Sequence, residues 1–374
     1  MYPLRIAHLG DIHLGINGRE AQVELSLDFI LEDLRRLRPN LVVQAGDVFD
    51  GKSTIADRNL LARWLQEVSE VAPVYAIKGN HDAVGDLQVF GRLRGVSVWE
   101  EPELVVVHGV LFMMLPHVAK GALVTDGDMA ESSRASEAQI REMLSGDWAA
   151  EARRHQGPVV LVSHCDVRGR VLSAGESRPD QAIAMTVSDL LASGADAVML
   201  GHIHQQQALD PRVWYAGSIA RANWGERVED KGYLLWTIQG KGELPIVERR
   251  LIPTRPMVSI TRTLDEASGT WSQTDGPDPV PDGAEVRVRL VAPEARMAEL
   301  ALERGEVLAR WPDARVEAKT IAQASVRSEA IGRAETETEM LGCYWQHESV
   351  ETPSEEFQGR ALAALAELVE EVGA

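Results

Sequence analysis

Several frameworks are argued against by what the chain has little of. Cysteine occurs twice in 374 residues, as Cys165 and Cys343, and no CxxC pair exists. That argues against a disulfide scaffold or a zinc knuckle and for a reduced, cytoplasmic protein. No uninterrupted run of 18 apolar residues is present, so no membrane-spanning helix is expected. The opening MYPLRIAHLGDIHLG lacks a charged stretch followed by an apolar one, so no secretory leader is read there. Heptads long enough for a coiled coil and internal repeats are also missing. Aromatic residues make up only 5% of the chain. Positive charge is scarce: 38 Lys and Arg stand against 57 Asp and Glu, a net charge of −19. A protein that simply adheres to nucleic acid through a basic surface does not look like this, because neutralising phosphates takes Lys and Arg. The deficit is uneven, with 11 basic against 23 acidic residues in 257–374 and 27 against 34 in 1–256. An acidic pocket that binds divalent cations would account for part of the second figure. The acidic C-terminal region reads as a solvated surface or a face for a basic partner.

The remainder has an ordinary composition, with 45% hydrophobic residues and enough length for two domains and a small third element. Short apolar runs at 4–9, 41–45 and 74–77 alternate with helical periodicity over 22–37 and 58–71. Further strands are expected at 104–107, 110–115, 159–162, 197–200, 213–216 and 233–238, with helices over 133–154 and 187–192. Buried strands alternating with helices imply a layered α/β core over residues 1–252. Pro253 and Pro256 mark a linker. Beyond it, strands at 257–262, 285–291 and 315–321, a helix over 294–309 and a Pro/Gly/Asp loop at 274–283 read as a small α+β domain, 257–325. Residues 326–374 read as a polar segment and a final amphipathic helix beginning at Ser354-Glu355-Glu356, which packs on its own chain or docks a partner.

The chemistry concentrates in five short motifs, each just after an expected strand: Gly10-Asp11-Ile12-His13, Gly46-Asp47-Val48-Phe49, Gly79-Asn80-His81-Asp82, Ser163-His164 and Gly201-His202-Ile203-His204. Strand ends of open α/β sheets are where ligands gather. Glycine there allows a sharp turn and leaves room for the side chain beside it. Asp11, His13, Asp47, Asn80, His164, His202 and His204 supply carboxylate and amide oxygen and imidazole nitrogen, with no thiolate. That set suits Mn, Fe, Zn or Mg. Seven such groups are too many for one cation and about right for two, with Asp47 as the natural bridge. In Asp11-x-His13 and His202-x-His204, an extended backbone would turn both members to the same side, so that each pair addresses one site. Two cations about 3.5–4 Å apart lower the pKa of a shared water and neutralise charge on a phosphoryl group. His81 would stand by the leaving oxygen. His117, in Leu115-Pro116-His117, is an intermediate case for substrate contact, and the other histidines read as structural.

This arrangement resembles the calcineurin-like metallophosphoesterase superfamily, whose fold is a four-layer α/β/β/α sandwich. More narrowly, residues 1–250 are similar to the nuclease subunit of the double-strand-break repair complex, the bacterial SbcD-like branch. The likeness rests on Ala7-His8-Leu9-Gly10-Asp11-Ile12-His13-Leu14-Gly15, Ala45-Gly46-Asp47-Val48-Phe49-Asp50, Lys78-Gly79-Asn80-His81-Asp82, Tyr215-Ala216-Gly217-Ser218, Gly225-Glu226 and Lys231-Gly232-Tyr233. The resemblance implies one metal on Asp11, His13, Asp47 and His204 and a second on Asp47, Asn80, His164 and His202, with manganese the expected ion. It implies His81 as the catalytic histidine. Asp50 stands where the archaeal and eukaryotic branch has a second histidine, so a catalytic part for Asp50 is an open expectation. His164 is the loosest match. The resemblance further implies an SMC-like ABC-type ATPase partner, a homodimer, and a capping role for 257–325.

Arg168, Arg170, Arg178, Arg221, Asn223, Trp224 and Arg227 are candidate DNA contacts, the arginines for phosphates and Trp224 as a wedge against a base. Phosphate contacts carry no sequence information, so cleavage independent of sequence is expected. The leading reading is a manganese-dependent DNA exonuclease and endonuclease. A small-molecule phosphodiesterase, as for cyclic nucleotides, would share every ligand, and a non-catalytic DNA-end scaffold is the third reading.

Overall fold

A computed structural model of the chain describes residues 3–118, 129–176, 183–265, 267–293, 296–321, 336–346 and 353–372. The chain divides into two compact units, residues 1–258 with 279–285, and residues 259–278 with 286–374.

The first unit is built on two six-stranded sheets. One runs in the order Ile246–Ile252, Lys231–Ile238, Leu4–Leu9, Leu41–Gln44, Val74–Ile77, Val96–Trp99. The other runs Gln207–Asp210, Val213–Tyr215, Ala197–Gly201, Val159–His164, Val110–Leu115, Glu103–Val107. The four strands from Leu4–Leu9 to Val96–Trp99 are parallel in the first sheet, and the four from Val213–Tyr215 to Val110–Leu115 in the second. Antiparallel strands flank both parallel cores. Strands covered on both faces read as unbroken apolar runs, which is why VLFMML and LVVQ are buried at every position.

Three apolar clusters define the layers. Ile6, Val43, Ile77, Phe112, Val160, Met199 and Trp236 interleave between the two sheets. Val23, Leu27, Ile30 and Leu34 of helix Glu20–Leu37 and Leu61, Trp64 and Val68 of helix Ile55–Val71 cover the outer face of the first sheet. Ile140, Leu144, Trp148, Ala152 and Leu190 cover the second. The result is an α/β/β/α sandwich, the layered α/β core read from the sequence in the form that the resemblance implied. Helix Ile55–Val71 starts three residues before the expected 58 because Thr54 and Asp57 form a capping box. The expected helix over 133–154 is three segments, Met129–Met143, a π-turn at Leu144–Trp148, and Ala149–Arg154.

The second unit contains a four-stranded sheet ordered Trp271–Asp275, Met257–Leu264, Glu285–Pro293, Arg315–Ile321. The last two strands are parallel, and helix Met297–Arg310 connects them. Leu300 and Val307 of that helix and Ile260, Val288 and Leu290 of the sheet are buried. Arg262 and Glu303 pair at 2.7 Å. The helices Glu337–Trp345 and Glu355–Val372 follow. Among the described residues no helix is long and apolar enough to cross a membrane.

Candidate metal centre

Three of the five motifs lie just beyond the carboxyl ends of central strands, a fourth starts at the last residue of one, Gly201, and His164 is itself the last residue of another. The backbone there is unusual. Among the described residues, positive φ at a non-glycine occurs at Asp11 (49°), His13 (52°), Asp47 (53°) and His202 (102°), besides Arg38 and His108. Left-handed backbone costs a side-chain-bearing residue energy and gathers at functional sites. The expectation that Asp11 and His13 share a side through extended alternation is therefore corrected, because two left-handed turns aim them instead. Hydrogen bonds hold those turns: Asp11 N–H donates to Gly46 O at 3.1 Å and His13 N–H to Asp47 O at 3.1 Å. Glycines let the loops interlock. A Cβ on Gly79 would lie 2.1 Å from Asp47 Oδ1, and one on Gly46, at φ +95°, would lie 2.3 Å from His164 Nδ1.

The side chains meet in two groups: Asp11, His13 and His204 in one, Asp47, His164 and His202 in the other. His202 and His204, expected at a common site by alternation, separate into different groups, because His202 is itself left-handed and the chain turns between them. Asp47 Oδ2 lies 3.3 Å from His164 Nε2 and 4.0 Å from His13 Nε2, so one oxygen faces both groups. Asn80 Oδ1 joins the second, 2.9 Å from His164 Nε2 and 2.8 Å from His202 Nδ1. All seven residues singled out in the sequence thus converge.

The outer nitrogens of three imidazoles have oxygen partners. His13 Nδ1–H donates to Asp50 Oδ1 at 2.9 Å, His164 Nδ1–H to Ala45 O at 2.7 Å, and His204 Nδ1–H to Glu226 Oε1 at 3.0 Å. This assignment follows from acceptors that carry no hydrogen. It leaves each inner nitrogen with a lone pair. His13 Nε2 and His204 Nε2 then face each other at 3.0 Å, and His164 Nε2 faces two acceptor oxygens. A proton or a metal ion between such atoms reconciles them. Ligating histidines commonly donate their outer N–H in this way, so the residues fit a divalent ion in each group.

The titration behaviour shows the same demand. Burial alone would lower His164, but the charge and hydrogen bond of Asp47 outweigh it and hold the imidazole up at about 9. Burial likewise opposes protonation of His204, yet Glu226 and Asp11 raise it to about 9. His202 goes the other way, to about 3, through burial and the charge of His164. Burial favours a protonated Asp47, but His164 and His13 keep its carboxyl far below the usual range. Each group therefore attracts a proton where a metal would sit, and metal and proton compete for the same lone pair.

His81 is 45% exposed, with Nδ1 3.7 Å from Asp50 Oδ1 and its ring centroid 5.0 Å from that of His13. Its backbone N–H donates to Asp47 Oδ1 at 2.8 Å. Asp50 is therefore placed as a support for His13 beside His81. Burial opposes its ionisation, and hydrogen bonding and charge from His13 reverse that and hold its pKa down. His117 reaches the edge of the centre, its ring 6.1 Å from that of His164.

The proposed DNA contacts fare differently. Trp224 is buried and so does not stand out as a wedge. Arg221 donates Nε and Nη2 to Glu229 O and Nη1 to Arg255 O. Arg170 pairs with Asp166 at 2.7 Å, and Asn223 caps the turn at 224–228 through Gly225 N–H. These groups are engaged inside the fold. Arg168, 3.7 Å from Glu137, and Arg227 are exposed, and Arg178 lies outside the described residues.

Two supports had not been assigned roles from sequence. Asp82, buried, accepts from Phe49 N–H at 2.9 Å and Gly79 N–H at 2.8 Å, tying two of the motif loops together. Glu226 is fully buried behind His204. Its neighbourhood was marked in the sequence by Gly225-Glu226 and Lys231, but their shared burial is a tertiary fact.

The sequence profile described as calcineurin-like phosphoesterase matches residues 4–206, more than half of the chain. Solved structures that are similar include GAP50, the anchor in the inner membrane complex of Plasmodium, at 15% identity and a TM-score of 0.41, covering 68% of this chain and 90% of that one. A dimetal phosphatase from Danio rerio aligns at 13% identity and TM-score 0.38, covering 65% and 98%. TT1561 of Thermus thermophilus aligns at 12% and 0.40, covering 66% and 99%.

Proposed function

From the premise that the chain belongs to the calcineurin-like phosphoesterase family and is a metal-dependent phosphoester hydrolase, we propose that its substrate is the phosphodiester backbone of DNA, cut as an exonuclease and an endonuclease. Manganese is the proposed ion and an SMC-like ATPase the proposed partner. One observation carries the reading. Two residues of the late landmarks Gly225-Glu226 and Lys231-Gly232-Tyr233, on which the resemblance to the nuclease-like sequences rests, lie behind His204: Glu226 accepts from its Nδ1–H and Lys231 pairs with Glu226 at 2.8 Å. Residues that carry the resemblance to the nuclease branch therefore support the candidate metal centre.

Asp11, His13, Asp47 and His204 would hold one ion, and Asp47, Asn80, His164 and His202 the other. Bound there, the ions supply an activated water and neutralise phosphoryl charge. The protein's own groups do the rest. Asp50, Ala45 O and Glu226 fix the imidazole tautomers. His81, exposed at the edge of the centre, would assist the leaving oxygen as a general acid. No covalent enzyme intermediate is needed.

The test is digestion of end-labelled linear and hairpin DNA, against a chromogenic phosphodiester, with manganese and with and without the ATPase subunit. Manganese-dependent cleavage of DNA is expected. Turnover of the chromogenic diester with intact DNA under every condition would favour a small-molecule phosphodiesterase. Metal binding with no hydrolysis of either would favour the scaffold reading.

A further inference from the structure

Behind His204 lies a buried ionic cluster that no step of hydrolysis uses directly. Glu226 is fully buried and Lys231 is 1% exposed. The carboxylate accepts four donors: His204 Nδ1–H at 3.0 Å, Lys231 Nζ at 2.8 Å, Ala222 N–H at 2.9 Å and Asn223 Nδ2 at 3.2 Å. Lys231 Nζ also donates to Glu229 Oε2 at 3.0 Å and to His204 O at 3.3 Å. Ser173 Oγ donates to the same Glu229 oxygen at 2.8 Å. Burying a Lys and a carboxylate together is costly unless every charge is paired and hydrogen-bonded, and here the lysine grips both the ligand's backbone and the ligand's carboxylate support.

The support is unequal across the centre. His13 and His204, in one group, lean on the carboxylates Asp50 and Glu226, whereas His164, in the other, leans on the neutral carbonyl of Ala45. A carboxylate behind a ligating imidazole makes it a better donor and fixes its ring, and removing such a partner costs about 10–100-fold in metal affinity. We propose that Glu226, held by Lys231, is a positioning residue that sets the affinity of the Asp11/His13/His204 ion selectively, and that Lys231 acts through it. This rests on the reading of those three residues as ligands.

The experiment is titration of the metal-free full chain with Mn2+, followed by calorimetry and by metal analysis after dialysis, on the wild type and on Glu226→Ala, Glu226→Gln and Lys231→Met. Two binding steps are expected for the wild type. In Glu226→Ala one step weakens about 10–100-fold and the other is unchanged. Glu226→Gln keeps an acceptor for His204 Nδ1–H, so its loss is smaller. Lys231→Met lies between the wild type and Glu226→Ala. If Glu226→Ala does not fold, as judged by circular dichroism, Glu226→Gln carries the test. Two unchanged steps in a folded variant would overturn the proposal, as would equal weakening of both. A wild type that binds no metal would instead overturn the assignment of the ligands.

Discussion

At the scale of single residues, the centre was readable because its chemistry is local. Asp11, His13, Asp47, Asn80, His202 and His204 sit in glycine-marked turns at strand ends and His164 ends a strand, and their donor atoms name the ions they suit. What holds them was less readable. The carbonyl of Ala45 has no signature, since every residue carries one, and Glu226 is 22 positions from the imidazole it supports. Arginine and tryptophan misled for the opposite reason: Arg221 and Trp224 look like nucleic-acid contacts until the fold engages the one and buries the other. Two substitutions separate roles at this scale. His81→Gln removes an exposed imidazole but not the backbone N–H that holds Asp47. Cleavage is expected to fall about 10²–10⁴-fold, the usual yield of general acid–base catalysis, with manganese stoichiometry intact. Loss of metal in that variant would place His81 among the ligands. Asp50→Ala removes the acceptor behind His13, so metal affinity should fall about 10–100-fold. Asp50→Asn keeps an oxygen acceptor and should recover part of it. Unchanged affinity in Asp50→Ala would leave Asp50 with no part in orienting His13.

At the scale of elements, buried parallel strands announced themselves as apolar runs, and amphipathic helices as periodic ones. Strand Ile246–Ile252 did not, because IVERRLI is an edge strand with little burial and no clean alternation. Besides its backbone pairing with Lys231–Ile238, one carboxylate ties it to a helix. Asp33, 2% exposed on helix Glu20–Leu37, accepts from Tyr233 Oη–H at 2.6 Å and from Arg250 Nη2 and Nε at 2.8 and 3.0 Å, so a helix and two strands meet at one side chain. Burial opposes its ionisation, but the hydrogen bonds from Tyr233 and Arg250 win and hold its pKa below the usual carboxylate value. A pKa lowered by folding means stability that is complete above the unfolded value, about 3.9, and lost as pH falls from there through the folded one. Asp33→Asn should cost about 1–3 kcal/mol at neutral pH and flatten the acid limb of the stability curve. Urea unfolding of both proteins across pH 7 to 3 measures it. Parallel acid limbs would show that Asp33 is not what the acid titrates.

At the scale of the whole molecule, charge constrains the proposed function more than fold does. A chain at −19 that cuts DNA must approach a polyanion of its own sign. Binding through phosphates releases counterions, so log K falls with log salt at about 0.9 per phosphate neutralised on duplex DNA. Among the proposed contacts that the structure describes, only Arg168 and Arg227 are exposed, and Arg168 already lies near Glu137. Two contacts predict a slope of about −2, far too shallow and too weak for stable binding near physiological salt. The proposed ATPase partner, implied by the resemblance, is then expected to supply much of the basic surface. Fluorescence anisotropy of labelled duplex against the isolated chain, at 50–300 mM salt with calcium in place of manganese, gives the slope directly. Adding the ATPase subunit should steepen it. A steep slope and tight binding at 150 mM by the chain alone would show that its own surface suffices, and the case for a basic partner would go with it.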